Sequence, residues 1–238
     1  MKVALVYDRI NKWGGAERVL LALHELFPYA PLYTSVYNSK TAPWANVFPE
    51  IHYSFLQSFP FAKQSHEYYP YLMPLVFESF TFDEYDFVIS VTSEAAKGII
   101  TKPATRHICY CLTPTRYLWS GYEEYFTNPG LKALSKPLVS YLHAWDRVAA
   151  QRPDVYIAIS KEVQKRIKAY YGRESQVIYP PVSLSARGPL RSFPPASAPL
   201  VFPSEPNAMR AVGNPSSSAT PRLKKYFLIV SRLVRFKH

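Results

Sequence analysis

One pattern governs residues 1 to 182: a short apolar run of strand length ends in a polar or glycine-bearing turn, and the turn opens a helix-length segment. "VALVY" (3 to 7) passes through Gly14-Gly15 into "GGAERVLLALHELF", where Ala16, Val19, Leu20, Leu23, Leu26 and Phe27 fall at helical spacing. "PLYTSV" (31 to 36) reads as a second strand. "FVISV" (87 to 91) runs into "TSEAAKGI", and "RHICYC" (106 to 111) runs into "TPTRYLW". "VYIAIS" (155 to 160) puts Ser160 where it caps "KEVQKRIKAYYG", whose Val163, Ile167 and Tyr171 share a face and whose Gly172 ends the helix. "QVIYPPV" (176 to 182) closes the series. Strands alternating with helices at this spacing predict an α/β fold, a Rossmann-like parallel sheet with helices on both faces.

In such sheets ligands bind outside the carboxyl ends of the strands. Gly14-Gly15, Thr92-Ser93-Glu94, Thr113 to Trp119 and Ser160-Lys161 all follow strands, so they are expected on one rim. Gly14 and Gly15 open a helix, where exposed amides and the positive helix end suit a phosphate; a tight turn with no ligand fits the two glycines equally well. They are not part of a G-x-G-x-x-G fingerprint, which disfavours a dinucleotide oxidoreductase.

Residues 183 to 222 differ in kind. They hold eight of the 22 prolines and eight serines with no apolar period, the composition of a disordered linker. "YFLIV" (226 to 230) then starts a strand within residues 223 to 238, read as the first strand of a truncated second domain. Arg232 and Lys237 follow it, an arginine fork and a lysine point charge suited to a diphosphate.

The formal charge of +11 is concentrated in the tail: residues 183 to 238 hold nine Lys/Arg against one Asp/Glu, and residues 1 to 182 hold 19 against 16. The weakly positive remainder suits phosphorylated ligands or an anionic membrane surface, and with no nucleic-acid motif present no nucleic-acid partner is expected. Cys109 and Cys111 lie two apart on one strand, poor disulfide geometry, and read as reduced, buried thiols. No His/Cys spacing suggests a metal site. The longest uncharged stretch, residues 26 to 39, contains two prolines and is shorter than the ~18 to 20 residues a spanning helix needs. "MKVALVYD" is too short for a secretory leader, so a cytoplasmic protein is expected, free or peripheral on the inner face of the cell membrane.

"GGAERVL", "HICYCLTPTRYLW", "YIAISKEVQKRIKAYYGRESQVIYPPV" and "YFLIVSRLV" resemble the retaining family 4 glycosyltransferases of GT-B fold, in particular the bacterial mannosyltransferase-like branch of polysaccharide synthesis. The resemblance covers residues 1 to 182 and resumes at 226. It implies an acceptor-binding N-terminal domain (1 to 182), a linker (183 to 222) and the start of a donor domain (223 to 238). Carried over, Gly14, Gly15, Arg232 and Lys237 meet the donor diphosphate and stabilise the leaving nucleotide without a metal or other cofactor. The expected co-substrates are a nucleotide sugar, GDP-mannose among them, and a saccharide or polyprenyl-linked acceptor. Where relatives carry a histidine associated with the reacting sugar, this chain has Leu112. The family's pair of glutamates seven residues apart has no counterpart before His238, so the isolated chain is expected to be inactive. A non-catalytic saccharide-binding or interaction module is the alternative.

Thr113, Arg116, Trp119 and Tyr122 offer hydroxyls, a cation and aromatic faces to an acceptor sugar; Trp119 reads equally well as core. His24, His52, His66 and His107 lie in or beside apolar segments and read as packed or surface histidines. The aromatic-rich segment "YSFLQSFPFAKQSHEYYPYLMPLVFESF" reads as a core helix, with a membrane-facing or lipid-acceptor surface as the second reading.

Overall fold

A computed structural model describes residues 1–120 and 129–181, which fall within one compact unit, Met1–Pro181. The linker and final strand expected at 183 to 222 and 223 to 238 lie outside the described residues, as do Tyr122, Arg232 and Lys237.

Seven strands form one parallel sheet: β1 (Val3–Tyr7), β2 (Leu32–Thr34), β3 (Ile51–Tyr53), β4 (Phe87–Thr92), β5 (Arg106–Cys111), β6 (Val155–Ala158) and β7 (Gln176–Val177). Their order is β3-β2-β1-β4-β5-β6-β7, and all six pairings are parallel. The order reverses between β1 and β4, which defines a switch point where neighbouring strand ends diverge and leave a crevice. The helices are α1 (Gly15–Leu26), α2 (Met73–Glu78), α3 (Pro129–Ala149) and α4 (Lys161–Tyr171).

Central strands are covered on both sides, so every residue of β1 is buried. Val3, Leu5 and Tyr7 face one core with Val19 and Leu20 of α1, while Ala4 and Val6 face the other with Met73, Val76 and Phe77 of α2. The same alternation in β5 sends Tyr110 to the α1 side and both cysteines to the side of α4, with Val163, Ile167 and Tyr171. Cys109 and Cys111 are unpaired, and burial pushes the Cys109 thiol up to about 12, which makes it a core atom at neutral pH. Ser160 caps α4 by accepting from the Val163 amide at 3.2 Å. Gly172 closes that helix at φ +67°, its N–H donating to Lys168 O.

Three elements depart from expectation. The aromatic segment 53 to 80, expected as a core helix, is not one: it starts at the last residue of the strand Ile51–Tyr53, its one α-helix is Met73–Glu78, and short 3-10 turns fill the interval. Prolines 60, 70 and 74 prevent a long helix from forming there. The 21-residue α3 was not anticipated, because Pro137 interrupts its apolar period. Buried Leu142 and Ala149 and the partly buried Trp145 carry that period in its second half. Leu26, at helical spacing with the apolar stripe of α1, is 62% exposed and lines an open cleft with Lys2, Phe27 and Tyr29.

Two consequences can be measured. A Cβ at Gly98 would lie 2.4 Å from the Trp145 ring, which is fixed by its Nε1 donating to Glu78 at 2.7 Å. Gly98→Ala is therefore expected to cost about 2 kcal/mol in urea unfolding, since the indole has no free direction to move. His107 is fully buried against Ser90 (2.8 Å), and burial lowers its pKa to about 3, with Arg152 adding to the effect and Asp154 opposing it. Between that value and about 6.5 the unfolded chain holds one more proton, so stability present above 6.5 falls as pH drops, by about 1.4 kcal/mol per unit. Urea titrations at pH 7, 6, 5 and 4 should show this slope, and His107→Gln should flatten it.

Candidate active site at the carboxyl ends of the strands

The floor of the switch point is built by Asp8, the residue directly after β1. Its side chain is fully buried. Oδ1 accepts from Thr92 Oγ1 (2.8 Å) and the amides of Ala95 (3.0 Å) and Ala96 (2.9 Å), while Oδ2 accepts from the amides of Ser93 (2.7 Å) and Glu94 (3.1 Å). One carboxylate thus gathers the turn after β4 and ties it to the end of β1. Burial pushes the Asp8 carboxyl up and the Glu94 charge adds to this, whereas the amides of Ala96 and Ser93 and the Arg9 guanidinium pull it down. Arg9 pairs with Glu94 beside it, both side chains largely buried.

A second buried centre lies behind that turn. Lys97 and Asp146 contact each other at 2.5 Å with side chains 2% and 1% exposed. Asp146 also accepts from Thr115 Oγ1 (2.9 Å), Trp119 Nε1 (2.8 Å) and Tyr171 OH (2.9 Å). Lys97 spends its other protons on Glu94 O and Thr115 Oγ1. The pair therefore locks α3, α4 and the turns after β4 and β5 to one another.

Gly14 and Gly15 stand on the same rim, after β1. Both are exposed, no side chain caps α1, and the space where a Cβ would sit on Gly15 is open. Glu17 in the first turn is buried, Oε1 accepting from Tyr7 OH at 2.8 Å while Oε2 lies 3.1 Å from where a Cβ on Gly14 would sit, so its carboxylate borders the start of α1 from the core side. Lys12 is exposed two residues before Gly14.

The turn after β5 divides. Thr113 is half-buried, its hydroxyl donating to Pro114 O, and Arg116 is exposed. Trp119 is committed inward: besides its bond to Asp146 it stacks on Tyr170 (4.9 Å, 17°) and packs on His143 (4.1 Å). Leu112 packs against the core on the α1 side. His24 packs on Phe48, and His52 stacks on Tyr33 at 4.5 Å. Among the described residues no three His, Cys, Asp or Glu side chains converge as a metal site requires.

Sequence reasoning placed the rim but missed the residues that build it. Asp8 had a local signal, an acid ending an apolar strand. Lys97 and Asp146 had none, being 49 positions apart. A cleft of about 610 Å3, lined by Lys2, Phe27, Tyr29, Pro31, Glu50 and Tyr85 among others, lies at the opposite, amino end of the sheet.

The strand order and its switch point define a parallel α/β chain of Rossmann-like type. No family model matches the chain, and no curated protein matches it. Among solved structures it is similar to HepE of Anabaena, whose crystal structure is a complex with UDP and glucose: 19% identity and a TM-score of 0.46, covering 76% of this chain. The chain spans 45% of the HepE chain. That overlap is too loose to carry anything from HepE to this protein, and the fold rests on the strand order itself.

Proposed function

We propose that the chain is the acceptor-side part of a retaining glycosyltransferase, moving a hexose, mannose from GDP-mannose, to a saccharide or polyprenyl-linked acceptor in polysaccharide synthesis. The observation that carries this reading is the uncapped, exposed N-terminus of α1 at Gly14-Gly15, beside the switch point and on the same rim as Thr113 and Arg116. Four amides of the turn after β4 are already committed to Asp8, whereas the amides that open α1 have no side-chain cap and stand available to an incoming diphosphate. A glycine pair lets phosphate oxygens approach the backbone closely. Arg232 and Lys237 enter the proposal through the sequence resemblance alone. Trp119 enters as the support of the turn that bears Arg116, its indole nitrogen being used by Asp146. Among the described residues no helix is long and apolar enough to cross a membrane.

Gly15→Asp tests the site. Nothing lies within 4 Å of the added Cβ, and an acid at a helix N-terminus is stabilising, so the melting temperature should be unchanged or higher. The new carboxylate would occupy the anion position, and affinity for GDP should fall about tenfold or more by equilibrium dialysis. Unchanged GDP affinity in this variant would overturn the assignment.

A further inference from the structure

Glu17 is 3% exposed and uses only one of its two carboxylate oxygens. Oε1 accepts from Tyr7 OH at 2.8 Å. Burial pushes the Tyr7 hydroxyl up and the Glu17 charge adds to this, so the phenol stays protonated and Oε1 stays occupied. Oε2 has no hydrogen-bond partner among the described residues, although a buried carboxylate oxygen ordinarily has one. It is directed at the start of α1, 3.1 Å from where a Cβ on Gly14 would sit. A side chain there would cover the oxygen, whereas Gly14, itself exposed, leaves it open to the rim. Gly14 also has no side chain to complete a capping box with Glu17.

The loop that joins β1 to α1 holds two more polar atoms buried without a partner among the described residues, Arg9 Nε and Asn11 Oδ1. The Arg9 guanidinium is near enough to Tyr7 to oppose the rise of its hydroxyl. The loop itself is fixed: the Ile10 amide donates to Val36 O (2.9 Å), Thr41 Oγ1 to Asn11 O (2.7 Å) and Trp44 Nε1 to Lys12 O (3.0 Å). A ligand arriving here meets groups already in place. Its chemistry follows from Oε2, a charged acceptor that calls for a donor. A phosphate oxygen at neutral pH has little proton to give it and carries the same sign of charge. A metal ion lacks ligands, since among the described residues no three His, Cys, Asp or Glu side chains converge. A hydroxyl fits, because it donates to a carboxylate while remaining an acceptor for a neighbouring N–H.

We infer that Glu17 Oε2 accepts a hydrogen bond from a saccharide hydroxyl at the start of α1, which makes Glu17 a specificity-determining residue for the sugar and not for the nucleotide. The inference rests on the glycosyltransferase reading for placing a saccharide beside the diphosphate, and adds the group that selects it. The diphosphate takes the exposed side of Gly14-Gly15 and the hydroxyl the core side. The hydroxyl belongs either to the transferred hexose or to the acceptor, and both present the same chemistry to the carboxylate.

The test is titration of the 15N-labelled full chain with GDP, GDP-mannose and methyl α-D-mannopyranoside, with Kd read from amide shifts in wild type, Glu17→Gln and Glu17→Asp. Glu17→Gln keeps a carbonyl for Tyr7 and turns an NH2 donor to the rim, while Glu17→Asp keeps the charge and draws the oxygen back. Both should weaken saccharide binding about tenfold, the loss of one charge-assisted hydrogen bond. GDP affinity should hold or rise, because a negative charge is removed or withdrawn from the phosphate side. A hydroxyl of the transferred hexose puts the loss on GDP-mannose; one of the acceptor puts it on the mannoside. Unchanged affinity for both saccharides in the two variants would overturn the inference, as would no saccharide binding to wild type. An equal loss for GDP would overturn it too, marking Glu17 as a support of the α1 start. Wild type that binds the mannoside through Glu17 but not GDP would refute the diphosphate site and leave this one standing.

Discussion

Asp146→Ala is expected to lower the stability of the protein by about 4 kcal/mol, a fall of about 12 °C in Tm for a unit of this size. The loss comes from what is left behind. Lys97 is left at 2% exposure without its counterion, so it either holds a bare buried charge or gives up its proton at a cost, and the Trp119 and Tyr171 donors lose their acceptor. The double change Lys97→Met with Asp146→Leu should recover part of the loss, since it removes both buried charges, but not all of it. Thr115, Trp119 and Tyr171 remain unserved. Burial disfavours the Lys97 ammonium, yet the adjoining Asp146 carboxylate more than offsets this, and the Lys97 pKa is raised. A cation raised in the folded state contributes stability that is fully present below the unfolded value near 10.4 and is lost as pH rises through the folded one. The gap between wild type and Asp146→Ala should therefore narrow as pH rises from 6 to 9, because burial without Asp146 pushes the Lys97 pKa down in the variant and its unfolded chain then holds the extra proton. Urea unfolding at those pH values measures it.

Asp8→Ala should cost about 3 kcal/mol. Four amides and the Thr92 hydroxyl converge on the carboxylate, and without it they face a cavity. Water entering from the rim would serve some of them, which keeps the cost below the sum of separate penalties. Asp8→Asn should fall between, because its amide nitrogen turns a donor toward donors. Hydrogen exchange of the Ser93 to Ala96 amides distinguishes this account from general destabilisation: it should rise in both variants more than exchange in α4, which Ser160 and Gly172 anchor independently.

The sequence made β1, β2, β4, β5 and β6 legible because each is an apolar run ending in a polar turn, and it made α4 legible down to its cap and its stop. The wholly parallel sheet followed from the alternation. What stayed hidden was set by tertiary contact. Ile51–Tyr53 is three residues at a sheet edge, too short for a period, and α3 carries a proline within its first half. The aromatic segment gave a composition without a burial pattern, and only the folded chain shows that Phe77 enters the core while Phe61, Tyr68 and Tyr71 face outward. At the site, strand ends placed Gly14, Gly15, Thr113 and Arg116 on the rim from sequence alone. The Asp8 ring and the Lys97–Asp146 pair needed the sheet to bring β1, the turn after β4 and α3 together.

The central claim is that the rim beside the β1/β4 switch point receives the diphosphate of a nucleotide sugar. Titration of the 15N-labelled protein with GDP-mannose, read by amide chemical shifts, tests it most directly. The account predicts saturable shifts centred on Gly14, Gly15 and Ala16, reproduced by GDP and abolished in Gly15→Asp. Shifts confined to the cleft at Lys2, Phe27 and Tyr29, or an unperturbed α1 N-terminus at saturating nucleotide, would contradict it.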